Sequence, residues 1–522
     1  MRRIATAAAV VALATGLVAG AALAQDGSTA VATKEYESGA IYQGQFKDGK
    51  QHGEGTYIAP DGYEYAGQWV EGEREGKGRA KFANGSIYEG DFLDDVPHGQ
   101  GTITYANGGS YTGQWRAGVI EGKGRADYGN GMIYEGEFKN SAHHGRGVMT
   151  RDNGYRYDGD WVEGVQQGKG TVTYPDGAIY AGDFVNGLRQ GQGKITLPDG
   201  FVYEGVWAEG QITGKGAAVY ANGDRYEGDF VEGRRHGQGV ATYASGDRYE
   251  GAFKDGDRDG RGKFIGIDGY TYEGDWAAGQ IAGQGIASYP NGSRYEGGFV
   301  AGSPEGQGRI TYADGGSYEG EWQGGVIAGK GVARYANGSV YDGTFANARH
   351  DGAGVMTYPD GHVYAGGWKD GIQHGTGALT YPDGAVYEGG FVEGQREGQG
   401  KLTLADGFIY EGGWLGGDIH GEGKATYPNG DVYTGTFIKG RQHGFGVMSY
   451  ASGNVFEGCW EDGARGGPAD ANGDCPVPEA EGTAPGDTGA GSADPAGTTP
   501  GTAAAAGGDT ATAGSGTTTA GN

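Results

Sequence analysis

The sequence predicts an all-β protein: an elongated, single-layer antiparallel β-meander of about 19 tandem hairpin units of 23 residues each, followed by a disordered C-terminal tail. Three observations predict it. A tyrosine recurs every 23 residues from Tyr42 to Tyr433, with Phe456 as the nineteenth start, and no insertion or deletion breaks the series. With that residue as position zero, Gly recurs at +2, an aromatic at +4, Gly at +11 and +13, and commonly Asn-Gly, Asp-Gly or Ser-Gly at +19 and +20. Finally, 117 glycines among 522 residues come with 35 tyrosines and without the Gly-X-Y period or proline load of collagen, which describes a folded repeat rather than a triple helix or a wholly disordered chain.

The elements follow in chain order. Arg2 and Arg3 precede an apolar run rich in Ala and Gly that ends in Ala22-Leu23-Ala24, the small-x-small pattern of a signal-peptidase site. Residues 1–24 are therefore expected to be a cleaved signal peptide and 25–30 a short linker, which places the protein outside the cytoplasm: secreted, periplasmic or associated with the cell envelope. No later stretch is apolar enough to span a bilayer, so no transmembrane segment is expected after cleavage.

The repeat array runs from 31 to 467. In "RYEGDF", Tyr226, Gly228 and Phe230 share one face of a strand, and Glu227 and Asp229 the other. The run from +13 to +18, "GVATYA", reads as the second strand, and the Asn-Gly or Asp-Gly after it suits a tight turn with positive φ. Gly at +2 is expected to leave a gap in which an aromatic ring of a neighbouring strand lies, so that the aromatic face forms its own core. At roughly 4.8 Å per strand, some 38 strands would extend on the order of 180 Å before twist.

All nine tryptophans fall at +4, at Trp69, Trp115, Trp161, Trp207, Trp276, Trp322, Trp368, Trp414 and Trp460, and alternate with Phe to give a true period of 46. They form the candidate binding face, a periodic row of aromatics. The alternation slips once, at Phe230 and Phe253, and there the sequence restarts: "FKDGKQHGEGTYIAPDGYEYAGQW" from Phe46 returns as "FKDGDRDGRGKFIGIDGYTYEGDW" from Phe253, 207 residues on. The array thus reads as two nine-unit blocks, 42–248 and 249–455, flanked by an N-terminal half unit (Tyr36, Ser38 and Gly39 hold +17, +19 and +20) and a degenerate C-terminal unit. Residues after +7 alternate as well: Ile120, Ile212, Ile281, Ile327 and Ile419 follow Trp, and Arg189, Arg235, Arg258 and Arg396 follow Phe. Placed in loops, they would either form a docking edge or simply follow the ring beneath them.

The motif Tyr-x-Gly-x-Trp/Phe followed by a spaced Gly and Gly-x-Gly, as in "YEGDFVEGRRHGQGVATYASG", resembles the MORN (membrane occupation and recognition nexus) repeat, here in a bacterial secreted protein. The resemblance implies an interaction module and, through the family's name and its occurrence beside phosphoinositide kinases, a lipid-headgroup ligand. It implies no kinase activity for this chain, which has no kinase domain.

Enzyme chemistry finds no support in the residues. Seven histidines at +10 (His52, His98, His144, His236, His374, His420 and His443) stand mostly two or more units apart, too far for one ion, and read as loop histidines. The Gly-x-Gly motifs lack the strand-to-helix context of a phosphate loop, and no catalytic motif stands apart from the repeat. No catalytic residue, metal site or cofactor is expected. A net charge of −27 excludes a basic nucleic-acid groove.

From Pro468 to the end the chain is rich in Ala, Gly, Thr and Pro, lacks aromatics and reads as disordered. The two cysteines, Cys459 and Cys475, fall at the degenerate last unit of a chain sent to an oxidising compartment, and are expected to form a disulfide that caps the open end. The function expected is a non-enzymatic scaffold or protein-interaction ribbon of the bacterial cell envelope, with a protein or other envelope component as partner. The alternatives are phospholipid headgroup binding, which the acidic balance disfavours, and glycan or peptidoglycan binding by exposed aromatics.

Overall fold

The computed structural model describes residues 31–470 and Cys475. The expected signal peptide and linker lie outside these residues, as does nearly all of the expected tail. The described residues contain thirty-nine strands and no helix. The chain divides into two compact units between Ile212 and Thr213. Within each unit, strands that follow one another in the sequence pair antiparallel, as the repeat predicts.

One repeat from the second unit shows how the residues set the geometry. The first strand, Arg225–Val231, ends in a two-residue turn, Glu232-Gly233, with φ of 50° and 76°. A type I′ turn needs positive φ at both positions and matches the twist of a hairpin. The second strand, Arg234–Thr242, runs back from +8 to +16. The sequence reading began this strand at +13 and placed the type I′-like turn at +19 and +20, and both assignments need correcting. The strand starts five residues earlier because the turn at +6 and +7 is tight, and the register shifts between Gly228 and Asp229 to absorb the extra residues around Gly237 at +11, whose φ is 59°. The Asn/Asp/Ser-Gly pair instead closes a longer turn. There Gly223 at +20 takes a φ of 91°, and the side chain of Asn222 at +19 accepts a hydrogen bond from the Asp224 amide at 3.0 Å.

The core also differs in detail from expectation. Gly228 and Gly239, at +2 and +13, stand directly opposite one another. The ring that covers this bare pair is Tyr226 of the same unit, folded back along its own strand, rather than a ring from a neighbouring strand. A Cβ on Gly228 would lie 2.6 Å from the Tyr226 hydroxyl oxygen, and one on Gly239 2.4 to 2.5 Å from its ring carbons. The hydroxyl donates to the Asp229 carbonyl oxygen at 3.0 Å. The position-zero tyrosines are at most 1% exposed. Small or aliphatic residues at +15, such as Ala241, Val172, Ile195 and Met356, are buried on the same face.

The rings form a ladder. In the first unit, Tyr180 meets Phe184 of its own repeat at 5.3 Å and 88°, and Trp207 of the next at 5.1 Å and 80°. In the second, Tyr364 meets Trp368 at 5.1 Å and 88° and Phe391 at 5.0 Å and 84°. Such edge-to-face pairs contribute about 0.5 to 1.5 kcal/mol each beyond the area they bury.

Candidate functional site

The nine tryptophans foreseen as a binding face are packed inside the ladder. Each is between 2% and 8% exposed. Their polar atoms are used as well. Trp161 Nε1 donates to the Gly147 carbonyl oxygen at 3.1 Å, Trp207 to that of Gly193 at 3.1 Å and Trp322 to that of Gly308 at 3.2 Å, in each case the +13 glycine of the preceding repeat. No open ring platform is left at these positions for a sugar to stack on.

The residues at +9 and +10, assigned to loops from the sequence, sit on the second strand, and each has a structural task. At +9 the side chain faces the +4 ring of its own repeat and covers the +4 ring of the next. Arg189 stacks 4.3 Å over Trp207, Arg258 4.1 Å over Trp276 and Arg396 4.4 Å over Trp414. The guanidinium of Arg189 also donates to the Gly210 carbonyl oxygen at 2.8 Å, and that of Arg258 to Gly279 at 2.8 Å. His143 and His350 lie flat on Tyr134 and Tyr341 at 3.8 Å, with Trp161 and Trp368 at 5.1 and 5.0 Å. The isoleucines noted at +9 all precede a repeat with Phe at +4, whereas the repeats that precede Trp carry Gln, Pro, His or Arg there. The alternation therefore follows the ring beneath, and that ring belongs to the following repeat.

At +10 a side chain with an acceptor atom commonly takes a hydrogen bond from the next repeat's I′ turn, while Ala282 and Ala328 offer none. Gln190 Oε1 accepts from the Glu209 amide at 2.9 Å and Glu305 from the Gly324 amide at 2.7 Å. His52, His98 and His236 do the same through Nδ1 at 3.4 to 3.5 Å. At these three positions the imidazole satisfies a turn amide, whereas His144 Nδ1 is buried without a partner among the described residues. Among the described residues, no group of three His, Cys, Asp or Glu could hold a metal ion. Residues at +3 act alike within a repeat: Asp229 accepts from the Gln238 amide at 3.1 Å and Asp183 from the Gln192 amide at 3.1 Å. The clue to these tasks was in the sequence, as an acceptor-rich column at +10 and a flat-residue column at +9, but only the true strand register says what each faces.

Burial sets the ionisation of the ladder. It pushes the Tyr180 hydroxyl up to about 12, against the opposing charge of Arg189, and that of Tyr226 likewise to about 12. It pushes His143 and His350 down to about 4. These groups are neutral at physiological pH and packed, which suits structure rather than proton transfer.

The solvent-facing surface of each unit is the opposite face, built from positions +1, +3, +12 and +14. It carries charges of both signs. Lys77 pairs with Asp91 at 2.5 Å, Lys169 with Asp183 at 2.5 Å and Lys215 with Asp229 at 2.9 Å, each from +12 of one repeat to +3 of the next. A shallow groove crosses this face in the first unit over Gly55, Gly67 and Gly78, and a similar one in the second over Gly400, Gly412 and Gly423.

At the C-terminal end, Cys459 and Cys475 are joined as a disulfide with Cα atoms 5.5 Å apart. The closure is partial. Among the described residues, Glu461, Trp460 and Cys459 take backbone partners on the outer side of the last strand, in Ala464, Arg465, Gly466 and Gly467.

The structure thus defines a tandem-repeat protein of β-hairpins locked by an aromatic ladder. The MORN repeat family profile matches eighteen consecutive segments from 42–62 to 433–455, and the chain belongs to the MORN repeat family. The degenerate nineteenth unit at Phe456 is not among them. No curated protein matches the chain. Solved structures similar to parts of it include the TCP domain of Drosophila melanogaster SAS-4 (dCPAP) in complex with a proline-rich motif of Ana2, at 14% identity over 34% of this chain and 87% of that one, with a TM-score of 0.19. The TCP10 domain of Danio rerio CPAP with a STIL peptide is 12% identical over 51% and 93%, with a TM-score of 0.17. A streptogramin B lyase is 10% identical over 64% and 89%, with a TM-score of 0.11. Likenesses this distant carry no argument about function. No helix among the described residues is long and apolar enough to cross a membrane.

Proposed function

We propose that this MORN repeat protein is a non-enzymatic scaffold of the bacterial cell envelope that binds a protein partner through its polar face. The observation that carries the reading is the division of labour within each repeat. Rings, +9 side chains and +10 acceptors are spent on holding neighbours together, whereas the ion-paired face at +1, +3, +12 and +14 recurs along each unit and faces solvent. A surface of alternating charge favours a partner with a complementary polar surface, and selects by charge placement more than by buried area. The apolar run before Ala24 supports export to the envelope. The acidic balance disfavours general attraction to anionic lipid.

The experiment is cross-linking with mass spectrometry on fractionated cells, run beside sedimentation of the purified protein with anionic liposomes and with peptidoglycan. Salt-sensitive cross-links from polar-face lysines such as Lys77, Lys169 and Lys215 to one envelope protein are expected. Cosedimentation with liposomes or with peptidoglycan, without such cross-links, would replace this reading with the lipid or the glycan one.

A further inference from the structure

The polar face of the later repeats has lost its ion pairs. Residues 207 apart hold the same slot of the two nine-unit blocks, so each block shows what the other could have carried. In the first block, positions +3 and +12 hold Glu137, Arg146, Asp160, Lys169 and Asp183, and Arg146 pairs with Asp160 at 3.5 Å and Lys169 with Asp183 at 2.5 Å. In the second block the same slots hold Thr344, Ala353, Gly367, Thr376 and Gly390. Beneath them the core is matched, His143 by His350, Met149 by Met356 and Trp161 by Trp368. The change is confined to the outer face.

These residues form a lane across the strands. Ala353 stands opposite Gly367, Thr376 opposite Gly390, Gln399 opposite Gly413 and Phe445 opposite Cys459. Glu422, opposite Thr436, is the one charge in the lane between Cys459 and Thr344. The lane is also unfilled. At +11, a Cβ on Gly375 or Gly398 would meet open space, whereas one on their counterparts Gly168 and Gly191 would meet the carboxylates of Asp160 and Asp183 at 2.7 and 2.9 Å. Backbone oxygens face the lane instead, the Glu397 and His374 carbonyls lying 2.2 and 2.3 Å from a Cβ built on Gly390 and Gly367. Such a strip, with little charge and with accessible backbone acceptors, suits a segment of small uncharged residues that can approach closely.

The chain brings a segment of that kind to the head of the lane. Cys459, at +3, lies on the polar face, and its bridge to Cys475 sets the chain there, with Cα atoms 5.5 Å apart. Beside it stands Phe445, 38% exposed and the one aromatic at +12 in the array. The 47 residues from Pro476 to Asn522 open with Pro476-Val477-Pro478, are rich in Ala, Gly and Thr, and contain no Lys or Arg. That composition buries too little to fold alone, whereas a preformed lane supplies the surface.

We infer that the segment beginning at Pro476 folds back over the polar face and lies along this lane, its first prolines against Phe445. Proline-rich segments dock on aromatic-lined surfaces in the extended polyproline form. Cys459 and Thr344 are ten strands apart, about 48 Å, which about 15 residues span at roughly 3.1 Å each, so residues 476–490 suffice. Glu479 and Glu481 then come level with Lys424, at +14 beside the lane and three strands from Cys459. The tether decides the occupant. It holds the segment at an effective concentration in the millimolar range, so that a contact too weak to join two molecules is still occupied.

The test is nitrogen relaxation NMR on the whole protein, exported with its own leader. Backbone order parameters of about 0.85 are expected over residues 476–490, as in a rigid backbone, and below about 0.6 towards Asn522. Thr376→Lys with Ala353→Arg returns two exposed positions to the residues that the first block carries on the same strands, and fills the lane; Phe445→Gln, the first block's residue at that slot, removes the ring. Either change is expected to lower the order parameters of 476–490 below about 0.6. Values below about 0.6 in the wild type, or order indifferent to both changes, would overturn the docking. So would order that is lost on dilution, which gives the lane to the segment of a second copy. Shifts of the Thr376 and Gln399 amides on adding peptidoglycan fragments, while 476–490 stays mobile, would overturn it too and give the lane to a glycan.

Discussion

The bare glycine pair under each tyrosine makes a sharp demand that one methyl group can test. In the first unit, Gly182 and Gly193 stand opposite one another beneath Tyr180, whose hydroxyl donates to the Asp183 carbonyl oxygen at 3.1 Å. A Cβ on Gly193 would fall 2.6 Å from two carbons of the Tyr180 ring and closer still to its hydroxyl. The ring has to lift. Overpacking of this kind costs about 1 to 3 kcal/mol, and loss of the hydroxyl's hydrogen bond adds about 0.5 to 1.5 kcal/mol. Gly193→Ala is therefore expected to cost about 2 to 4 kcal/mol locally.

Because each repeat touches only its neighbours, global unfolding is a blunt probe, and the assay of choice is amide hydrogen exchange along the strand Leu188–Thr196. The expected cost corresponds to exchange faster by about 30- to 700-fold. Gly200→Ala is the control. Gly200 has a φ of 95° and open space where its Cβ would point, so that variant reports backbone strain alone, about 1 to 2 kcal/mol. Adding Tyr180→Phe to Gly193→Ala should recover part of the loss, since the hydroxyl is the nearest clashing atom. Exchange in Gly193→Ala no faster than in Gly200→Ala, or no coupling between Tyr180→Phe and Gly193→Ala, would refute the ring-over-glycine account.

Three further outcomes are expected. His143 and His350 stay neutral down to about pH 4 in the folded protein but titrate near pH 6.5 when unfolded, so the unfolded chain binds more protons in between. Stability should therefore fall as pH drops from about 6.5 to about 4, by about 1 to 2 kcal/mol per histidine after solvent screening of these half-buried rings, and His143→Gln should flatten that fall around the strand Ala142–Arg151 in exchange measurements. Arg189→Ala should destabilise the Trp207 contact by about 1 to 3 kcal/mol through loss of stacking and of the Gly210 bond, read as faster exchange in the strand Val202–Ala208; an unchanged rate would refute the role given to +9. Peptide mass spectrometry of unreduced protein should recover Cys459 linked to Cys475, and reduction should loosen the last unit by about 3 kcal/mol; two free thiols would remove the bridge.

Much of the fold was legible because the sequence states it many times. A strict 23-residue period with Tyr, Gly and an aromatic on alternate positions leaves few options besides a hairpin meander. What escaped was register. Glu232 and Gly233 do not look like a favoured I′ pair, because position +6 accepts Glu, Asp, Asn and Ala at a φ near 50° when the flanking strands are pinned by rings, and the propensity of the turn residues is overridden. With the turn misplaced, the residues at +9 and +10 fell into an imagined loop, and Arg189 and His236 looked like surface features. Their partners, Trp207 and the Asp255 amide, lie one repeat further on, which no pattern within a single repeat reveals.

The Phe-Phe seam shows how little the ladder depends on which ring it uses. Tyr226 meets Phe253 at 5.0 Å and 81°, and one repeat on Tyr249 meets Trp276 at 5.2 Å and 82°. Arg235 reaches over Phe253 at 5.3 Å and donates to the Gly256 carbonyl oxygen at 2.6 Å, the same arrangement that Arg258 makes with Trp276 and Gly279. A copied block therefore has to match its neighbour chiefly at one column, a +9 side chain that fits the next +4 ring, since repeats with Ala282 or Ala328 at +10 pair with the next in the same register. Arginine covers either ring, whereas isoleucine is found only before Phe, so a block ending in Arg235 joins to a following Phe or Trp alike.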